Sequence, residues 1–66
     1  MEILLNGASR ELAPDLTLTE LLDVLELAGR RVAIELNGQV VPASEHAQRK
    51  LSQGDRVELI SAIGGG

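Results

Sequence analysis

The chain ends in Ile63-Gly64-Gly65-Gly66, and the one reactive group it displays without side-chain cover is the Gly66 α-carboxylate. Glycines bury no side chain and lose the most conformational freedom on ordering, so folding gains little by fixing three in a row. They form instead a thin peptide able to enter a narrow active site on another protein. A carboxylate is a poor acyl donor because its leaving group is oxide. Adenylation by ATP removes that obstacle, giving an anhydride open to attack by sulfur. The competing reading is an inert, frayed terminus, which is common at chain ends.

The remaining side chains offer little other chemistry. Cysteine is absent, which excludes disulfides, thiolate zinc sites and a cysteine nucleophile. The single histidine, His46, lies in a stretch without clear periodicity and with no partner base, so it reads as a surface residue. The carboxylates are scattered along expected helix and strand surfaces. The terminal glycines open no helix and therefore form no phosphate cradle. Neither catalysis of its own, nor a metal, nor a bound cofactor is expected. Ten acidic residues against six basic ones give a net charge of −4. Arg30-Arg31 and Arg49-Lys50 are only pairs, so nucleic acid is not an expected partner. No apolar run reaches the ~18 residues of a membrane span. Met1-Glu2-Ile3 has none of the basic and apolar character of a secretory leader, so the expected setting is the cytoplasm, away from membranes.

The elements that would position the tail are legible in order. Glu2–Asn6 is apolar and β-branched and ends in Asn6-Gly7, a hairpin signal; Ser9–Ala13 forms the return arm before Pro14. Thr17-Leu18-Thr19-Glu20 is a capping box, with Leu16 and Leu21 placed as a hydrophobic staple. Leu18, Leu21, Leu22, Leu25 and Ala28 follow at helical spacing, and Gly29 stands where a left-handed cap belongs. The spacing predicts a helix over about 18–28, with Leu21 and Leu25 in the core. Val32–Leu36 and Gln39–Val41 form a second Asn-Gly hairpin around Asn37-Gly38, ended by Pro42. Residues 43–50 read as a turn or short helix with Ser44 as its candidate cap. Leu51 reads as a core plug, and Ser52–Asp55 as a tight turn into a last strand over 56–62.

The order β-β-α-β-β-β, with one amphipathic helix, predicts an α+β fold of the β-grasp, ubiquitin-like kind. A mixed sheet of about five strands packs on one helix, with the first and last strands parallel at its centre. Residues 1–62 form the domain, and 63–66 a flexible tail. If Ile3, Leu5, Val57 and Leu59 face the helix, Leu4 and Ile60 face outward with Ala33 and Glu35. Leu4 and Ile60, expected to lie side by side, are candidate anchors for a partner together with Ile63.

Several short motifs stand in a fixed order: Asn6-Gly7, Leu36-Asn37-Gly38-Gln39-Val40-Val41-Pro42, Leu51-x-x-Gly54-Asp55-x-Val57-Glu58, and Ala62-Ile63-Gly64-Gly65-Gly66. In that order the chain resembles the ThiS/MoaD family of ubiquitin-like sulfur carriers, and within it the ThiS carriers of thiamin biosynthesis. The resemblance implies a carrier acted on by enzymes. An E1-like adenylyltransferase (ThiF-type), using ATP and Mg, would adenylate Gly66. A sulfur donor such as a cysteine desulfurase would then make it a thiocarboxylate. A thiazole synthase (ThiG-type) would take the sulfur. Family roles carry onto Gly65 and Gly66, and onto Gly64 as added reach, since many relatives end in two glycines. A molybdopterin-synthase small subunit, a ubiquitin-like modifier and an unreactive β-grasp binding module are the alternatives.

Overall fold

Two Asn-Gly turns set the sheet. The computed structural model describes residues 1–61, and in it Asn6 and Gly7 have φ of 49° and 84°, Asn37 and Gly38 of 52° and 87°. Positive φ at both central residues is the type I′ pattern whose twist matches that of paired strands. The first turn joins β1 (Glu2–Leu5) to β2 (Ala8–Glu11); the second joins β3 (Val32–Leu36) to β4 (Gln39–Val41). The last strand, β5 (Arg56–Ser61), lies between β1 and β3, parallel to the first and antiparallel to the second. Sheet order is β2-β1-β5-β3-β4, which is the β-grasp arrangement.

The single helix, α1 (Leu18–Val24), begins as the capping box requires. The amide of Glu20 donates to Thr17 Oγ1 at 3.1 Å, and Glu20 Oε1 accepts from the Thr17 amide at 2.9 Å. The other free amides of the first turn find carbonyls in the loop that follows β4. Leu18 donates to Arg49 and Thr19 to His46, so each amide left open by the helix start is satisfied.

The helix ends four residues before the expected limit of 28. Leu25 is its last capping residue, and Glu26 takes φ of 60°. The amide of Glu26 donates to Asp23 and that of Leu27 to Leu22, the paired bonds of a Schellman ending. Leu22 and Leu27, both half-buried, occupy the two positions whose apolar contact favours this motif. Gly29, expected as the cap, sits instead in a separate turn closed by Arg30 N–H to Leu27 C=O. The Schellman bonds thus end the helix before the glycine signal is reached. Leu25 consequently packs against the core from its margin and is only partly buried.

One face of the sheet and one side of α1 enclose Ile3, Leu18, Leu21, Ile34, Leu36 and Val57, with Leu12, Val41 and Leu51 completing the core. Leu51 is buried as expected. The 43–50 stretch holds a single 3-10 turn, Ala43–Glu45, capped by the backbone after Pro42 with no contribution from the Ser44 side chain.

His46 is the clearest departure from the sequence reading. It is buried, and its Nε2–H donates to the Val41 carbonyl at 2.9 Å while its own carbonyl accepts the Thr19 amide. One residue therefore ties the loop to both β4 and the start of α1. Its role is structural, and it is not on the surface. No local pattern announces this, because the partners are backbone groups brought in by the fold.

Candidate functional site

The strand that precedes the tail is clamped from both flanks. Asn6 extends the β1 side: its amide donates to Val57 C=O at 2.8 Å and its Oδ1 accepts from the Leu59 amide at 2.8 Å. Asn37 does the same on the β3 side. Its amide donates to Arg56 C=O at 2.8 Å, and its Oδ1 accepts from the Arg56 amide at 2.9 Å. Its Nδ2 donates to Asp55 Oδ1 at 3.0 Å, and Asp55 Oδ2 in turn accepts from the Ser52 amide at 2.7 Å. Both asparagines were legible as turn residues. Their second role, side-chain clips on the two flanks of β5, depends on the distant strand and was not.

β5 ends at Ser61, which lies opposite Val32 at the start of β3. Ala62 and the candidate residues Ile63, Gly64, Gly65 and Gly66 lie outside the described residues.

The second candidate feature is the face of the sheet turned away from α1. Pairing places Glu2 and Leu4 of β1, Ser9 and Glu11 of β2, Arg56, Glu58 and Ile60 of β5, and Ala33 and Glu35 of β3 on this face. Leu4 is 41% exposed and Ile60 54%. They do not form the adjacent pair expected. Leu4 stands opposite Arg56, four residues along β5 from Ile60, so about 13 Å of strand separates them. The parallel register, which sequence alone leaves open, decides this. Between them lie Arg56 and Glu58, and the face is predominantly acidic. Glu2 accepts a hydrogen bond from Ser9, and Glu11 pairs with the Met1 ammonium at 2.8 Å.

No cluster of three or more potential metal ligands occurs among the described residues. The notch between the two hairpin turns, about 230 Å³, is lined by Gly7, Glu35, Gly38, Arg56, Val57 and Glu58, and brings no nucleophile to a base. None of the helices described is long and apolar enough to cross a membrane. The described residues thus make a hydrogen-bonded platform with a bare sheet face, and its last strand ends at Ser61.

Such a platform, a five-stranded mixed sheet on one helix, defines a small ubiquitin-like β-grasp protein. The ThiS family model matches residues 3–66, and the chain belongs to that family. It is 35% identical to the sulfur carrier protein ThiS of Escherichia coli over 66 residues, covering all of both chains. The crystal structure of a thiamine biosynthesis protein (ThiS) from Geobacter metallireducens superposes with a TM-score of 0.86 at 35% identity, again covering all of both chains. A thiazole synthase of Paramagnetospirillum magneticum is 38% identical over 66 residues, and the chain spans only 20% of that protein's length.

Proposed function

We propose that this chain is a sulfur carrier for thiamin biosynthesis, reacting through the Gly66 carboxylate. The observation that carries this reading is the end-to-end match to a sulfur carrier protein, which runs through the terminal glycines. A carboxylate oxygen attacks the α-phosphorus of ATP held with Mg by an E1-like, ThiF-type adenylyltransferase, and pyrophosphate leaves. The outer sulfur of a persulfide relayed from a donor such as a cysteine desulfurase displaces AMP to give an acyl disulfide. A thiol then cleaves its S–S bond, leaving the thiocarboxylate on Gly66 and a disulfide on the thiol side. A ThiG-type thiazole synthase then takes the sulfur for the thiazole ring. The occurrence of a similar 66-residue unit within a protein named thiazole synthase supports that partner.

On this reading the chain is a co-substrate of cytoplasmic enzymes and has no catalytic group of its own. Residues 63–66 act as a flexible tail on the domain. Gly64 and Gly65 thread the partner's active site, where any Cβ would narrow the fit. Leu4, Ile60 and Ile63 dock the carrier, with Leu4 and Ile60 as two separate footholds.

The test is ATP–pyrophosphate exchange with the adenylating enzyme of the same organism, followed by intact-protein mass after sulfur transfer. The parent chain should support exchange and gain the mass of one sulfur-for-oxygen replacement. Amidating Gly66 should abolish both, while the melting temperature stays the same. Exchange with the amidated chain would refute Gly66 as the acceptor.

A further inference from the structure

The open edge of β4 carries a feature that sulfur carriage does not use. A shallow groove of about 520 Å³ runs along it, floored by Leu22, Val32, Val41 and Pro42 and flanked by Arg30 and Arg31. His46 also lines it. No carboxylate lines this groove, although acidic residues outnumber basic ones ten to six in the chain. Among the described residues the single ion pair is that between Met1 and Glu11, so neither guanidinium is neutralised there. Val40, on the same edge, is 68% exposed, the most exposed large apolar residue described.

The backbone adds a third element. Leu36 and Gln39 flank a two-residue turn and form the hydrogen-bonded pair next to it, so Glu35 and Val40 form the next, non-bonded pair. The Val40 N–H and C=O therefore point away from β3 into the open edge. An edge donor and acceptor, an apolar floor and two adjacent cations are what an extended acidic peptide needs. Main-chain bonds supply its alignment, the floor its apolar side chains, and guanidinium forks its carboxylate.

We propose that this groove seats an extended segment of a partner protein in which a carboxylate stands beside apolar side chains. The charge decides the occupant's sign: a basic segment meets two unpaired guanidinium groups, an acidic one pairs them.

The test uses the full-length, isotope-labelled chain and a capped peptide, Ser-Leu-Glu-Leu-Asp-Ser, with a control in which lysines replace the acidic residues. At millimolar peptide, amide shifts should saturate at Arg30–Ala33 and Val40–Ala43 and be absent with the lysine control. Arg30→Gln/Arg31→Gln should weaken binding about three- to fivefold, the worth of one exposed charge pair. Val40→Asp, at an exposed position, should abolish it with the rest of the spectrum unchanged. Equal shifts with the lysine peptide, or none with either, would overturn the proposal. Two other outcomes would also overturn it by naming a different occupant. Shifts at these residues that depend on protein concentration alone would point to a second copy. Movement of the Gly64–Gly66 signals in the arginine variant without peptide would point to the chain's own end. None of these readouts involves ATP, so the result is independent of the Gly66 chemistry.

Discussion

Replacing Asn6 separates the two things that residue does for β5. Its backbone is left-handed, with φ of 49°, and its Oδ1 holds the Leu59 amide at 2.8 Å. Asn6→Gly removes the bond but accepts the conformation; Asn6→Ala removes the bond and strains the backbone. A hydrogen bond of this kind contributes about 1 kcal/mol net. Glycine adds about 0.5–1 kcal/mol through the freer unfolded chain, partly offset by relief at positive φ. Alanine in the left-handed region costs about 1–2 kcal/mol, of which asparagine already bears a part. The expected losses are therefore about 1–1.5 kcal/mol for Asn6→Gly and about 1.5–2.5 kcal/mol for Asn6→Ala. A 66-residue domain has only about 3–10 kcal/mol in total, so both shift the urea midpoint clearly. Hydrogen exchange adds a local readout: the Leu59 amide should lose more protection than its β5 neighbours in both variants. If alanine is no worse than glycine, or Leu59 keeps its relative protection, then Asn6 acts only as a turn residue and the clip is wrong.

Leu21, fully buried, should cost about 2–5 kcal/mol as Leu21→Ala. Leu25→Ala, at the core margin, should cost about 1–2 kcal/mol; equal losses in denaturant unfolding would contradict the early helix ending. Glu26→Gly should stabilise by up to about 1 kcal/mol by relieving a left-handed non-glycine cap, and a lowered midpoint would place that cap elsewhere. Leu4→Arg and Ile60→Arg should each raise the KM for the carrier in the exchange assay with nearly unchanged melting temperature. Because the two are well separated, their effects should add in the double variant. A large loss of stability in either would show that it belongs to the core.

Local chemistry made most of this fold readable. Asn-Gly pairs, a capping box and alternating apolar residues each dictate a structure within a few residues, and the sheet follows from their order. What escaped the sequence is non-local. The helix stops at Val24, where the Glu26 and Leu27 amides turn back to Asp23 and Leu22, an ending that the glycine at 29 obscures. His46 is buried because Val41 and Thr19 offer it backbone partners from two elements. Leu4 and Ile60 share a face but not a patch, because face follows from period and distance from register. The tail glycines lie outside the described residues, and their proposed chemistry rests on the sequence, where the lack of side chains is itself the signal.

The clamping of β5 has a bearing on how such a carrier would work. The strand before the tail is held on both flanks as far as Leu59, by backbone pairing and by two asparagine clips, and Ser61 is paired with Val32 of β3. Five residues follow it, and fully extended they span at most about 18 Å. If Gly66 is the reacting residue, a partner that grips the sheet face through Leu4 and Ile60 must therefore open its active site within that radius of Ser61. A looser last strand would widen the volume the carboxylate explores and dilute it at the reacting centre, since effective concentration falls as the connecting chain lengthens. The acidic residues of this face, Glu2, Glu11, Glu35 and Glu58, orient the encounter without adding much to its strength, because exposed charges steer more than they hold. Strand pairing up to Ser61 and glycine beyond it are then complementary requirements of one task. The first fixes where the chain leaves the domain, and the second lets its end pass where a side chain would not fit.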